Sequence, residues 1–194
     1  MAKIGLANLK YALLTESGSG SSYTATYDGA KSFGKAVDCK VTVESNTAEL
    51  YADDMIAETD YTFKKGTIAL TVDEDDDTIF AEVLGHTIST TESNKDEMVR
   101  KATDTAPYVG IGRILTKIVN GKYKYKVEFL SKVKFKEPNF DEKTKGESIE
   151  FATPSIEGTI MKLENEEWSK TKTFETKAEA ITYLDGLMKA PASV

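Results

Sequence analysis

The 194-residue sequence has one cysteine, one histidine and one tryptophan, and it has no apolar run near the roughly 18 residues a membrane helix needs. Each scarcity closes off a kind of chemistry. A lone Cys39 cannot make an intramolecular disulfide, so nothing marks an oxidising compartment. Its alternation with Val37, Val41 and Val43 predicts a buried thiol. With His86 the only histidine, a Ser-His-Asp or Cys-His device has to use it, yet no serine sits in a nucleophile turn. The expectation is a surface or strand-edge histidine and no enzymatic activity. Cations are also short: 25 Lys and Arg face 32 Asp and Glu, a net charge of −7. That balance opposes a sequence-independent grip on nucleic acid and attachment to an anionic membrane. Asn8 and Lys10 interrupt the apolar stretch Ile4–Leu14 and no cleavage pattern follows, so it does not read as a signal peptide. A soluble chain made in the cytoplasm, with no membrane partner, is expected.

Two further motifs fall short of a ligand site. Asp73-Glu-Asp75-Asp-Asp77 starts like a calcium loop, but Thr78 stands where glycine is required and Leu84 where a bidentate glutamate is required. Negative charge leading into a helix near 77–85 is the plainer reading, since carboxylates complement the free N–H groups there. Gly110-Ile-Gly112 lacks the third glycine of a dinucleotide fingerprint and precedes a strand. Close backbone approach, or room for Phe129, explains these glycines better. No cofactor and no metal are predicted.

What the sequence has is alternation. Hydrophobic residues make up 40% and charged residues 29%, enough for a real core, and the length favours a single domain over 1–194. Leu6–Leu14 reads as a strand with Leu9, Tyr11 and Leu13 on one face, and Val37–Glu44 as another. Ser17–Ser22 reads as a flexible loop and Thr24–Phe33 as irregular. Residues 44–60 are polar, acidic and without strong period, and are predicted to form a long loop. A strand pair turned at Lys64-Lys65-Gly66 follows, then the short helix, a strand over His86–Thr91 and an exposed loop over Glu92–Ala106. The sharpest signal is Asn120-Gly121 between two alternating runs, the mark of a type I′ hairpin. A two-residue loop sets Val119 opposite Lys122, Lys117 opposite Lys124, Arg113 opposite Glu128 and Gly112 opposite Phe129, with a bulge near Leu130-Ser131. Ser148–Phe151 and Ser155–Leu163 complete the strands, while Trp168 lies in a segment too polar to assign. A capping box at Thr176/Glu179 and the stripe Ala180, Ile181, Leu184, Leu187 predict a C-terminal helix near 176–189. The fold class is mainly β, about eight or nine strands in a sandwich or barrel with two short helices packed on it.

The lysine stripe Lys122, Lys124, Lys126, Lys132, Lys134 and Lys136 reads as a solvated strand face protecting an edge. The other reading is a salt-sensitive contact with acidic residues, concentrated between Asp53 and Asp77, on a neighbouring copy. Leu50, Tyr51 and Met55 in a polar setting, beside Asp53 and Asp54, predict that the 44–60 loop is mobile in one subunit and orders on the next. The candidate interface set is therefore Leu50, Tyr51, Asp53, Asp54, Met55, Lys122, Lys124 and Lys126.

In order and spacing, several stretches resemble the phage major tail protein family, the tail tube proteins of long-tailed phages and phage-tail-like bacteriocins. They begin with Ile4-Gly-Leu-Ala-Asn-Leu-Lys-Tyr-Ala-Leu-Leu14, Asp38-Cys-Lys-Val-Thr-Val-Glu44, Leu50-Tyr-Ala-Asp-Asp54 with Glu58 beyond, and the helix ending Leu84-Gly85. The most distinctive are Ala106-Pro-Tyr-Val-Gly-Ile-Gly112, Val119-Asn-Gly121, Lys132-Val-Lys-Phe135, Thr144-Lys-Gly-Glu147, and Phe151-Ala-Thr-Pro154 followed by Ile156-Glu-Gly158. The resemblance implies a tail-tube-type β-sandwich whose copies form hexameric rings, stacked into a channel for DNA passage. It also implies a tape measure protein, a tail terminator and baseplate or distal tail proteins as partners, only transient non-specific passage of DNA, and a place in a virion tail assembled in the host cytoplasm. The residues agree with it on two physical grounds. Long strands uncovered in one subunit can be completed by another. An acidic lumen lets phosphates slide without holding them. An immunoglobulin-like binding module on a virion or cell surface is the alternative from a different class.

Overall fold

The computed structural model describes residues 2–52, 55–73, 76–139 and 153–189. Its strands are β1 (Ala2–Ser17), β2 (Thr24–Tyr27), β3 (Lys31–Ser32), β4 (Ala36–Ala52), β5 (Met55–Val72), β6 (Thr87–Ile88), β7 (Met98–Val99), β8 (Val109–Val119), β9 (Lys122–Phe135), β10 (Ser155–Met161) and β11 (Ser169–Phe174). Helix α1 (Asp77–Leu84) follows β5, and α2 (Lys177–Leu187) comes last. The fold is mainly β, as the alternation predicts. One nine-stranded antiparallel sheet runs β2-β1-β8-β9-β10-β5-β4, with β11 continuing beside β9 and β3 beside β1; β6 and β7 form a separate ribbon.

The β8–β9 hairpin has the register its turn dictates. Asn120 and Gly121 both have positive φ, 51° and 75°, as a type I′ turn requires. Val119 then faces Lys122, and the pairing holds to Ile111 opposite Leu130. A bulge follows, after which Val109 faces Val133. The bulge decides the packing. Val127 and Phe129 lie on one face of the sheet, while Leu130, Val133 and Phe135 lie on the other.

Each face has its own core. Leu9, Tyr11, Phe33, Ile68, Leu70, Val72, Ile111, Val133, Phe135 and Ile160 pack inside the curve of the sheet, with Phe80, Val83 and Leu84 of α1 against them. On the outer face, Ala180, Leu184 and Met188 of the α2 segment pack on Ala12, Ile114, Val127 and Phe129. Gly112 makes that docking possible. A Cβ there would lie 2.2 Å from Leu184 Cδ1, and one at Gly110 would lie 2.8 Å from Phe129 Cζ. Both helices start as predicted: Asp76 accepts from the Thr78 N–H at 2.9 Å, and Thr176 and Glu179 form a reciprocal capping box. The sheet curls until its far strand meets its middle. Arg113 on β8 donates from Nη1 to the Cys39 carbonyl on β4 at 3.1 Å. No ladder joins β1 to β4 among the described residues, so the roll is a barrel left open along one seam.

Several expectations are corrected. The predicted 44–60 loop is the outer part of β4 and β5, paired from Ser45–Phe63 to Ala52–Met55. Beyond Phe63 at its base, none of its described side chains is buried, so hydrophobic periodicity carries no trace of it. Lys64-Lys65-Gly66 is no turn: β5 runs straight through it, with Gly66 between Val43 and Ile160. Thr24–Phe33 is not irregular, since β2 and β3 both pair with β1. The strand over His86–Thr91 shrinks to Thr87–Ile88. Val37 falls on a bulge of β4 and is exposed with Val43, so only Cys39 and Val41 of that set turn toward the core. The predicted strand Ser148–Phe151 lies outside the described residues.

Candidate functional site

His86 and Cys39, the two residues the sequence singles out as candidates for nucleophilic catalysis, both have partners within the chain. His86 is not on the surface: its side chain is 3% exposed. Gly85 and His86 both return their N–H groups to the Ala81 carbonyl, which ends α1 and folds the imidazole inward. Nδ1 lies 2.9 Å from Asp104 Oδ2. Nε2 is 2.5 Å from Glu137 Oε1 but out of hydrogen-bond alignment. The hydrogen bond to His86, with another from the Lys101 N–H, holds the Asp104 carboxyl below its ordinary range. Cys39 is half-buried, with Sγ 2.6 Å from Arg113 Nη1. Burial pushes its thiol up, against the pull of the guanidinium. Among the described residues no group of His, Cys, Asp and Glu could hold a metal ion, and no helix is long and apolar enough to cross a membrane.

The feature without a role inside the chain is the ribbon made by β4 and β5, 17 and 18 residues long. From Ser45 and Phe63 outward its described strands pair only with each other. Leu50 and Tyr61 on this arm are 59% and 67% exposed, and Val43 just below it is 45% exposed. Its register gives each face a character. Ala48 faces Asp60 and Leu50 faces Glu58, so one face presents an apolar side chain among two carboxylates; Thr47 and Tyr61 lie on the other. At its base, Phe63 stacks flat on Trp168, with ring centroids 4.5 Å apart. Trp168 is held in turn by the β9 bulge: its carbonyl accepts the Ser131 N–H at 3.0 Å, and the Ser131 carbonyl accepts from the Tyr27 hydroxyl at 2.8 Å.

Of the candidate interface residues, Leu50 is exposed on the arm, and Tyr51 and Met55 are placed there as backbone. Asp53 and Asp54 lie outside the described residues. The lysine stripe is not one face. The β9 bulge sends Lys124 and Lys126 to the inner side, and Lys132 and Lys134 to the other, over the Tyr108 ring at 4.3 and 5.2 Å. Most of it is neutralised within the chain. Lys124 pairs with Glu175, Lys126 with Glu128, Lys132 with Glu16 and Lys136 with Glu157. Lys122 is left exposed at the hairpin end with Ile118 and Tyr123. Lys117, missing from the candidate set, belongs beside it, and the Asn-Gly register already places it opposite Lys124.

A cavity of about 510 Å³ opens along the unzipped seam, lined by Leu6, Asn8, Lys10, Lys35, Ala36 and Asp73 among others. Asn8 sits at a β1 bulge with φ of 51°, and its Nδ2 is buried without a hydrogen-bond partner. No protein-family model matches this chain, and no curated protein matches it.

Proposed function

We propose that this chain is a self-assembling structural subunit of a tail tube, of the kind built by long-tailed phages and phage-tail-like bacteriocins. Its copies form hexameric rings that stack into a channel for DNA. One observation carries the reading: a long ribbon, which exposes Leu50, Glu58, Asp60 and Tyr61, projects from a sheet left open along a seam. A two-stranded ribbon alone is marginal in water, and an unpaired strand edge is a template for another chain. The outer edge of β4 is such an edge: no strand pairs with it among the described residues, although Arg113 takes its Cys39 carbonyl. A neighbouring copy supplies what is missing, and the arm is already folded when it arrives. Because the arm of one copy meets a different surface on the next, the contact is heterologous and propagates into a ring or filament. The net charge of −7 suits a lumen that does not hold DNA. A tape measure protein, a terminator and baseplate or distal tail proteins are the partners of such a tube, and the assembled site is a virion tail.

The test is electron microscopy of concentrated protein. Wild type should form rings or tubes. A variant with residues 47–61 replaced by Asn-Gly, joining the paired Asn46 and Thr62, should stay folded and form none. Normal tubes from that variant would end the proposal.

A further inference from the structure

The end of the β8–β9 hairpin carries a positive surplus that the described residues offset only in part. Lys117 lies directly opposite Lys124, and Lys122 shares their face. Like charges facing each other across a ladder weaken the pairing. Glu175 neutralises Lys124, but no carboxylate among the described residues pairs with Lys117 or Lys122. The arm has the opposite surplus. Between Asn46 and Thr62 stand five carboxylates and no lysine, arginine or histidine, and Glu58 and Asp60 are exposed on the face that carries Leu50.

The spacings also agree. Glu58 and Asp60 are two apart on one strand, which separates them by roughly 7 Å. Lys117 and Lys122 are diagonal neighbours across a ladder, roughly 7–8 Å apart. No ion pair joins these two surfaces within the chain among the described residues. We infer that the Leu50–Glu58–Asp60 face of the arm docks on the Lys117–Lys122 end of the β8–β9 hairpin of a second copy. Glu58 and Asp60 meet the two lysines, and Leu50 covers Val119 between them. The inference rests on the reading that the arm joins copies, and it names the surface the arm lands on.

A charge exchange in the full chain tests it by sedimentation velocity at low salt. Lys117→Glu with Lys122→Glu, and separately Glu58→Lys with Asp60→Lys, should each weaken self-association about tenfold or more, because both pairs become repulsive. All four changes together should bring association back to within about threefold of wild type, since only coupled sites rescue one another. Lys122, Glu58 and Asp60 are exposed and Lys117 is half-buried; should a reversal perturb the fold, Lys117→Gln with Lys122→Gln reads the same loss without new repulsion. Wild-type association in the lysine variants, or no rescue in the fourfold variant, overturns the docking site. If the shortened arm abolishes assembly while these variants assemble normally, the arm joins copies elsewhere and only this inference falls. If the shortened arm assembles normally, the assembly reading falls with it.

Discussion

Glu128 stands on the inner face of β9 with three donors around one carboxylate: Arg113 Nε at 3.1 Å, Arg113 Nη2 at 2.8 Å and Lys126 Nζ at 2.5 Å. Burial alone would raise its pKa, but the bonds from Lys126 and Arg113 outweigh that and hold it below the ordinary glutamate range. A carboxyl depressed in this way stabilises the fold fully above the unfolded value of about 4.3, and the contribution is lost as pH falls through the lower, folded value. Glu128→Gln should therefore cost about 1–3 kcal/mol at neutral pH, where it strands a guanidinium that is mostly buried. Urea midpoints of wild type and variant should begin to draw together as pH falls below about 4, where the unfolded carboxyl protonates first, and the gap should be smallest below the lower, folded value. The cross-strand pairing of Arg113 with Glu128 follows from the hairpin register alone. The Cys39 carbonyl that takes the rest of the guanidinium does not, because it arrives from the far end of the rolled sheet.

Among the elements, the clearest in the sequence were those with local chemistry or two distinct faces. Asn120-Gly121 admits one turn, and one turn fixes every pair from Val119–Lys122 to Gly112–Phe129. Thr176 and Glu179 cap α2 by contacts within one turn of helix. The arm reads as a loop because Asn46, Ala48 and Leu50 alternate with Ser45, Thr47 and Glu49 without giving either face to a core. Strand β11 is illegible for the same reason: Lys170 to Thr173 are all exposed, and it is held by its pairing with β9 and by Phe174 against Tyr183. Docking of α2 can be tested at its contact with the sheet. Gly112→Ala places a methyl against Leu184 Cδ1 and Met188 Cε, both in a packed core. The overpacking should cost about 2 kcal/mol. For a chain of this size that lowers Tm by about 4–8 °C in a calorimetric or circular dichroism melt.

At the scale of the whole molecule, an open roll with a charged arm makes association depend on both concentration and salt. Exposed charge pairs are screened over about 8 Å at physiological ionic strength. Sedimentation velocity should show larger species as protein concentration rises, and fewer of them as salt rises from about 0.05 to 0.5 M. Salt-independent association would remove the charge component and leave strand-edge pairing alone. Trp168, the sole indole in the sequence, lies flat on Phe63 where the ribbon leaves the body, and it is anchored from behind through Ser131. Any swing of the ribbon unstacks that pair and changes the solvent around the indole, so the protein's intrinsic emission is a label-free optical gauge of arm position.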